Sequence, residues 1–146
     1  MPQPSAHDTP AGKTLAEHRA LHALLEEIEE ASGAAGGVAA TETLTARLDT
    51  LRERLAAHFD GEEKSGLFEQ IKELAPEQAH ECAKLCDEHL SLLQRVDDLR
   101  TAGPEVQATA AWTEGVRTML SELAHHEAVE NELLTRVLDG AMEAQD

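Results

Sequence analysis

Six side chains of two types recur in a fixed order along this chain. His18, His58 and Glu62 are followed by His89, His126 and Glu130. Each set is a single His and then a His-x3-Glu, and each His-x3-Glu sits in a longer echo, Leu-Ala-x-His-x-x-x-Glu, at Leu55–Glu62 and Leu123–Glu130. The two echoes stand 68 positions apart and the single histidines 71 apart. Residues four apart on a helix lie one above the other on the same face. Each motif therefore aims an imidazole and a carboxylate into one space. Four imidazoles and two carboxylates suit two closely spaced redox metal ions. Two six-coordinate irons have twelve positions; two bridging carboxylates, four imidazoles and an oxo or hydroxo bridge fill all but two of them. Those two are left for water, O2, peroxide or another side chain, and such open imidazole–carboxylate sites suit non-haem iron.

Placing these groups requires helices, and the sequence predicts four. Thr14-x-x-Glu17 reads as a capping box opening the first, with Leu15, His18, His22 and Leu25 on one face and Leu21, Leu24 and Ile28 widening it. Ser32–Gly37 ends it. The second starts near Thr41 and buries Leu44, Leu48, Leu51, Leu55, His58 and Glu62. Gly61 within it is expected to allow a close backbone approach or a local irregularity. Ser65-Gly66 breaks that helix, and a short apolar turn runs to Leu74. Pro76 suits the first position of the third helix, whose stripe is Cys82, Leu85 or Cys86, His89, Leu92 or Leu93, Val96 and Leu99. Thr101–Pro104 reads as a tight connection with Pro104 opening the fourth. That helix carries Val116, Met119 or Leu120, Leu123, His126, Glu130, Leu133 or Leu134, and Val137. The expected fold is all-α, an antiparallel up-down four-helix bundle over residues 13–140, with a flexible tail at 1–12 and a second at 141–146. His18 and His58 are 40 positions apart and His89 and His126 are 37 apart, so both hairpins deliver their ligands to a similar depth.

Composition agrees. The 146 residues are enough for one domain with a real core, and Phe59, Phe68 and Trp112 are the only aromatics. Scarce aromatic and β-branched residues favour helix over sheet. The formal net charge of −17 repels phosphate backbones and anionic membranes, which argues against a nucleic-acid or membrane partner. No apolar run approaches a membrane span, no signal pattern opens the chain, and two cysteines imply no disulfide framework. A cytoplasmic protein, monomer or homodimer, is expected. Having no Tyr argues against a tyrosyl radical or a tyrosinate ligand, and Trp112 reads as packing.

Glu17-His18-Arg-Ala-Leu21, His58-Phe-Asp-Gly-Glu62-Glu63, Glu88-His89-Leu-Ser-Leu92 and His126-Glu-Ala-Val-Glu130 together resemble the hemerythrin-like HHE cation-binding domains, across residues 14–139. The resemblance implies a four-helix bundle holding an oxo- or hydroxo-bridged pair of non-haem irons that meets O2, peroxide or NO. It implies His18, His58, Glu62, His89, His126 and Glu130 as iron ligands. The family's O2 carriers have a His-x3-His on the third helix and end in a His-x4-Asp. Here Leu85 and Leu93 flank His89, and the last motif is His126-x3-Glu130, which places the chain with the bacterial variants of the family. The expected role is binding O2 or related small oxidants for sensing or oxidative-stress protection. The alternatives are a di-iron oxidoreductase consuming peroxide or using O2, and iron storage or sensing without catalysis.

Several residues have two readings. His22, one turn after His18, is either a fifth imidazole or a hydrogen-bonded core residue. His125 and His80 read as peripheral. Glu63 is either a hydrogen-bond partner behind the ligands or a solvated Glu. Each ligating His needs an acceptor for its second ring nitrogen; Glu17 and Glu88 are expected to yield that role to acceptors on neighbouring helices. Cys82 and Cys86 read as small buried hydrophobes rather than redox thiols. Glu77-x-x-His80 and Glu122-x-x-His125 match the ferritin-like Glu-x-x-His pattern, but they lie on consecutive helices. The plainest alternative for the six residues is ordinary core or surface His and Glu on acidic helices.

Overall fold

Apolar residues at three- and four-residue spacing can be buried only by turning each stripe toward its neighbours. The computed structural model does this with helices throughout, and it describes residues 10–32, 38–106 and 110–144. The elements are α1 (Pro10–Ser32), α2 (Val38–Lys64), α3 (Leu67–Leu74), a 3₁₀ turn (Pro76–Gln78), α4 (Ala79–Val106) and α5 (Ala110–Ala144). No strand forms among the described residues. Within them, no helix is long and apolar enough to cross a membrane. The long helices close a ring in chain order: α1 packs on α2 and α5, and α4 packs on the same two.

The interior has two apolar parts. The larger holds Leu21, Ile28, Leu48, Leu55, Val96, Met119 and Leu123. The smaller holds Leu67, Phe68, Ile71, Cys82, Leu85, Leu133 and Leu134. Each fully buried Leu contributes about 1.5–3 kcal/mol relative to an exposed one. On α1, α4 and α5 the candidate ligands fall where the stripe passes from one part to the other, and on α2 they fall at the end of the larger part, with α3 supplying the smaller one. On α5, for example, Leu123 belongs to the first, His126 and Glu130 follow, and Leu133 belongs to the second. The polar layer is thus held between two apolar ones.

The segment after Ser65-Gly66 is a helix of 8 residues rather than a short turn. Gly66 takes φ 85°, a conformation only glycine adopts without strain, and this reverses the chain out of α2. Leu67, Phe68 and Ile71 then form one buried face that covers the smaller core against α4 and α5. Pro76 opens the 3₁₀ turn, so α4 begins at Ala79. Thr101–Pro104 is not a connection: α4 continues through it to Val106. Gly103 serves a close approach instead, since a Cβ there would come 2.5 Å from the Trp112 ring. Trp112 Nε1 donates to the Leu99 carbonyl at 2.9 Å, fixing the ring against α4. Its role is packing, as expected. Nor is there a capping box at Thr14, because α1 starts at Pro10 and Thr14 is buried within it. Residues 10–12 of the tail expected at 1–12 belong to α1, and residues 141–144 of the one expected at 141–146 belong to α5; 1–9 and 145–146, and the loop at 33–37, lie outside the described residues.

Gly61 is exposed in the last turns of α2, and a Cβ added there meets nothing within 4 Å. The close approach expected of it does not exist. Gly61→Ala should therefore stabilise the fold by about 1 kcal/mol through helix propensity alone. A higher denaturation midpoint at unchanged m-value is the expected result.

Candidate metal centre

The six residues marked by the repeat converge. His18, His58, Glu62, His89, His126 and Glu130 are all buried, with Glu130 at 0% exposure. His18 comes from α1, His58 and Glu62 from α2, His89 from α4, and His126 and Glu130 from α5. The imidazoles form two pairs: ring centroids are 4.8 Å apart for His18 and His58 and 5.1 Å apart for His89 and His126. The carboxylates lie between the pairs. Glu62 Oε1 contacts His58 Nε2 and lies 3.3 Å from His18 Nε2, while its Oε2 lies 3.1 Å from His89 Nε2. Glu130 Oε1 lies 3.3 Å from His18 Nε2 and its Oε2 3.2 Å from His126 Nε2. Each carboxylate thus turns one oxygen to each imidazole pair.

These close approaches do not amount to a satisfied hydrogen-bond network. His58 Nε2, His89 Nε2, His126 Nε2, Glu62 Oε2 and both Glu130 oxygens are buried without a hydrogen-bond partner among the described residues. Buried polar atoms without partners are costly, and here they face one another around a common space. A cation would satisfy them. Two groups have ligand atoms within 4.8 Å of one another: His18, His58, Glu62 and Glu130, and His89, His126 and Glu130.

The outer ring nitrogens are held by a second set of residues. Glu17 Oε2 lies 2.5 Å from His58 Nδ1, and Glu88 Oε2 2.8 Å from His126 Nδ1. Asn131 Oδ1 is 2.6 Å from His18 Nδ1, and Glu63 Oε1 is 3.4 Å from His89 Nδ1. With Nδ1–H donating outward, each Nε2 is turned inward and is the nitrogen a cation would take. Every acceptor thus comes from a neighbouring helix, as expected, but Glu17 and Glu88 are themselves among these acceptors, which was not expected. Neither reaches the His beside it in sequence; each reaches the His one helix onward. The missed signal was the repeat itself, since Glu17 and Glu88 precede its single histidines. Asn131 also follows from the repeat, as the counterpart of Glu63.

The carboxylates set the protonation of this layer. Burial opposes a charged His18, but Glu130 and Glu62 overcome it and raise the imidazole to about 10. His89 is raised to about 9 by the same carboxylates against the same burial. His58 is raised as well, by Glu62 and Glu17 against burial. Burial pushes the two carboxyls up, yet the surrounding imidazoles hold both Glu62 and Glu130 well below the usual carboxylate range. Protons on the imidazoles thus balance the charge that cations would otherwise balance.

A layer of four imidazoles sharing two carboxylates, held between two apolar layers of a helical bundle, invites comparison with known cation-binding domains. The hemerythrin HHE cation binding domain matches residues 9–138 of the chain. The chain belongs to this family. No curated protein and no solved structure matches it.

The other candidates fall outside the centre of this HHE domain. His22 is 66% exposed and pairs with Glu26 on its own helix, so it supplies no fifth imidazole. Four residues turn a helix by about 400°, which carries His22 past the line of His18, while Leu21 and Leu25 lie on its other side and face the core. His125 and His80 are exposed, as expected. Glu77 is also exposed, and Glu122 pairs with Arg95 on the surface, so the ferritin-like pattern gathers no site. Cys82 is buried and Cys86 half-buried. Burial pushes both thiols up, Cys86 to about 11, which disfavours the reactive thiolate. One residue that sequence reasoning did not single out is Glu127. It is only 7% exposed, and its Oε1 meets no partner among the described residues. Burial pushes its carboxyl up while His18 and His58 draw it back.

Proposed function

We propose that this HHE domain is an antiparallel up-down four-helix bundle that holds two non-haem irons and binds O2 or related small oxidants, for sensing or oxidative-stress protection. The bundle reading is supported by the order in which the helices cross the two cores. Successive long helices meet them in opposite order, as on α4 (Leu85, then Leu92) and α5 (Leu123, then Leu133). The observation that carries the metal reading is the division of each carboxylate between the two imidazole pairs. This fits Glu62 and Glu130 as bridges, with His18 and His58 at one pole and His89 and His126 at the other.

Iron held there would supply one-electron redox chemistry and exchangeable positions for O2, peroxide or NO. The chain's own residues do the rest. Glu17, Glu63, Glu88 and Asn131 hold the imidazoles in one tautomer and orientation. Phe59 and Phe68 exclude water from the His89–His126 pole. Two buried carboxylates supply the negative charge that draws cations inward.

Protein loaded anaerobically with ferrous iron should retain about two irons per chain and, once oxidised, show an oxo-bridge charge-transfer spectrum. Reduced protein should then bind O2 with a reversible spectral change. Folded protein that takes up no iron, or only one ion per chain, would overturn the di-iron reading.

A further inference from the structure

The 68-residue shift that superimposes Glu62 on Glu130 also pairs Phe59 with Glu127. The two positions face different poles. Phe59 lies flat on the His89 ring, with centroids 3.9 Å apart and planes at 5°, and meets His126 edge-on at 5.6 Å. Phe68 adds a second ring 6.1 Å from His89. The His89–His126 pole is therefore walled by aromatic carbon. Where the repeat would put a second Phe, the chain has the shorter, polar Glu127. Beside it a cavity of about 440 Å³ opens between α1 and α5, lined by Leu15, His18, Arg19, His22, Glu127 and Asn131. Arg19 and His22 are exposed, where water screens them; Glu127 is the buried carboxyl on this wall.

A buried carboxyl with an unpartnered oxygen needs a reason to be there. It is not one of the residues turned inward between the imidazole pairs, and it holds no ring nitrogen. What remains is the cavity. We infer that Glu127 is the specificity-determining residue of the route by which a small ligand reaches the His18–His58 pole. It accepts a hydrogen bond from a protic ligand such as water or hydroperoxide, and it disfavours an unprotonated anion. This rests on the di-iron reading but is separable from it.

The test uses the iron-loaded 146-residue chain with two probes of different charge, azide and NO. Glu127→Gln keeps the space and trades a carboxyl oxygen for an amide N–H donor. It should tighten azide binding about tenfold and leave NO affinity within about twofold. Glu127→Phe rebuilds the aromatic wall of the other pole. It should slow the association of both probes about 100-fold while the irons stay bound. Equal azide affinity in wild type and E127Q, or a parallel change for azide and NO, overturns the specificity role. Unchanged association in E127F overturns the route. E127Q is nearly isosteric and carries the test alone if E127F does not fold. Wild-type protein that takes up no iron sinks the metal reading before either probe is added; loaded protein indifferent to E127Q sinks this inference alone.

Discussion

Replacing Glu130 by Ala is expected to empty both poles of the centre. Its two oxygens face opposite imidazole pairs, its side chain is 0% exposed, and neither oxygen has a hydrogen-bond partner among the described residues. On the two-cation reading, removing one shared anion takes a ligand from each cation at once. It also leaves His18 and His89 without a charge that balances theirs. Overall cation affinity should fall by at least about 100-fold, since loss of even the supporting contacts behind metal ligands costs 10–100-fold. Titration of the metal-free protein with a divalent cation reads this directly. Glu130→Gln should lose affinity as well while keeping the shape of the core, which separates lost charge from lost packing. His22→Ala should leave cation stoichiometry unchanged, because that imidazole sits on the surface.

The second large effect is the dependence of loading on pH. Without cations, His18 titrates at about 10 and His89 at about 9, so both are protonated at neutral pH. A cation takes the place of each Nε2 proton, so filling both poles releases at least these two protons. Below pH 9 the overall binding constant should therefore fall about 100-fold for each unit of pH decrease. The dependence should flatten above pH 9 and again above pH 10. Titrations at several pH values, with proton release followed in weak buffer, test the slope; a slope near zero would mean that the imidazoles are already neutral.

The same shifts fix the sign for stability of the metal-free protein. The raised histidines contribute fully below the ordinary imidazole value of 6.5, and that contribution is lost as pH rises through about 9 and 10. The lowered carboxylates contribute above their ordinary value of 4.5 and lose that contribution as pH falls. Metal-free protein should thus be most stable between these limits. Loaded protein should keep its stability toward alkaline pH, because the cation replaces the protons.

The sequence by itself determined the four long helices, though not their ends, and which six His and Glu side chains meet between them. Leu55–Glu62 and its echo at Leu123–Glu130 depend only on helical periodicity, so spacing alone put each imidazole and its carboxylate on one buried face. The matching order of His18 and His89 supplied the rest. What the spacing could not decide was anything set between helices. Glu17 and Glu88 look redundant beside their own histidines, and only the packing of α1 on α2 and of α4 on α5 shows that each reaches the next helix. His22 shares a helix face with His18 on paper, but the direction of the core is fixed by neighbouring helices, and they leave it in water. Gly103 reads locally as a turn, whereas a ring from α5 explains why only a residue without Cβ fits there. Glu127 carries no local signal at all. Its burial, and its contrast with Phe59 at the other pole, exist only once the two halves of the chain are brought together.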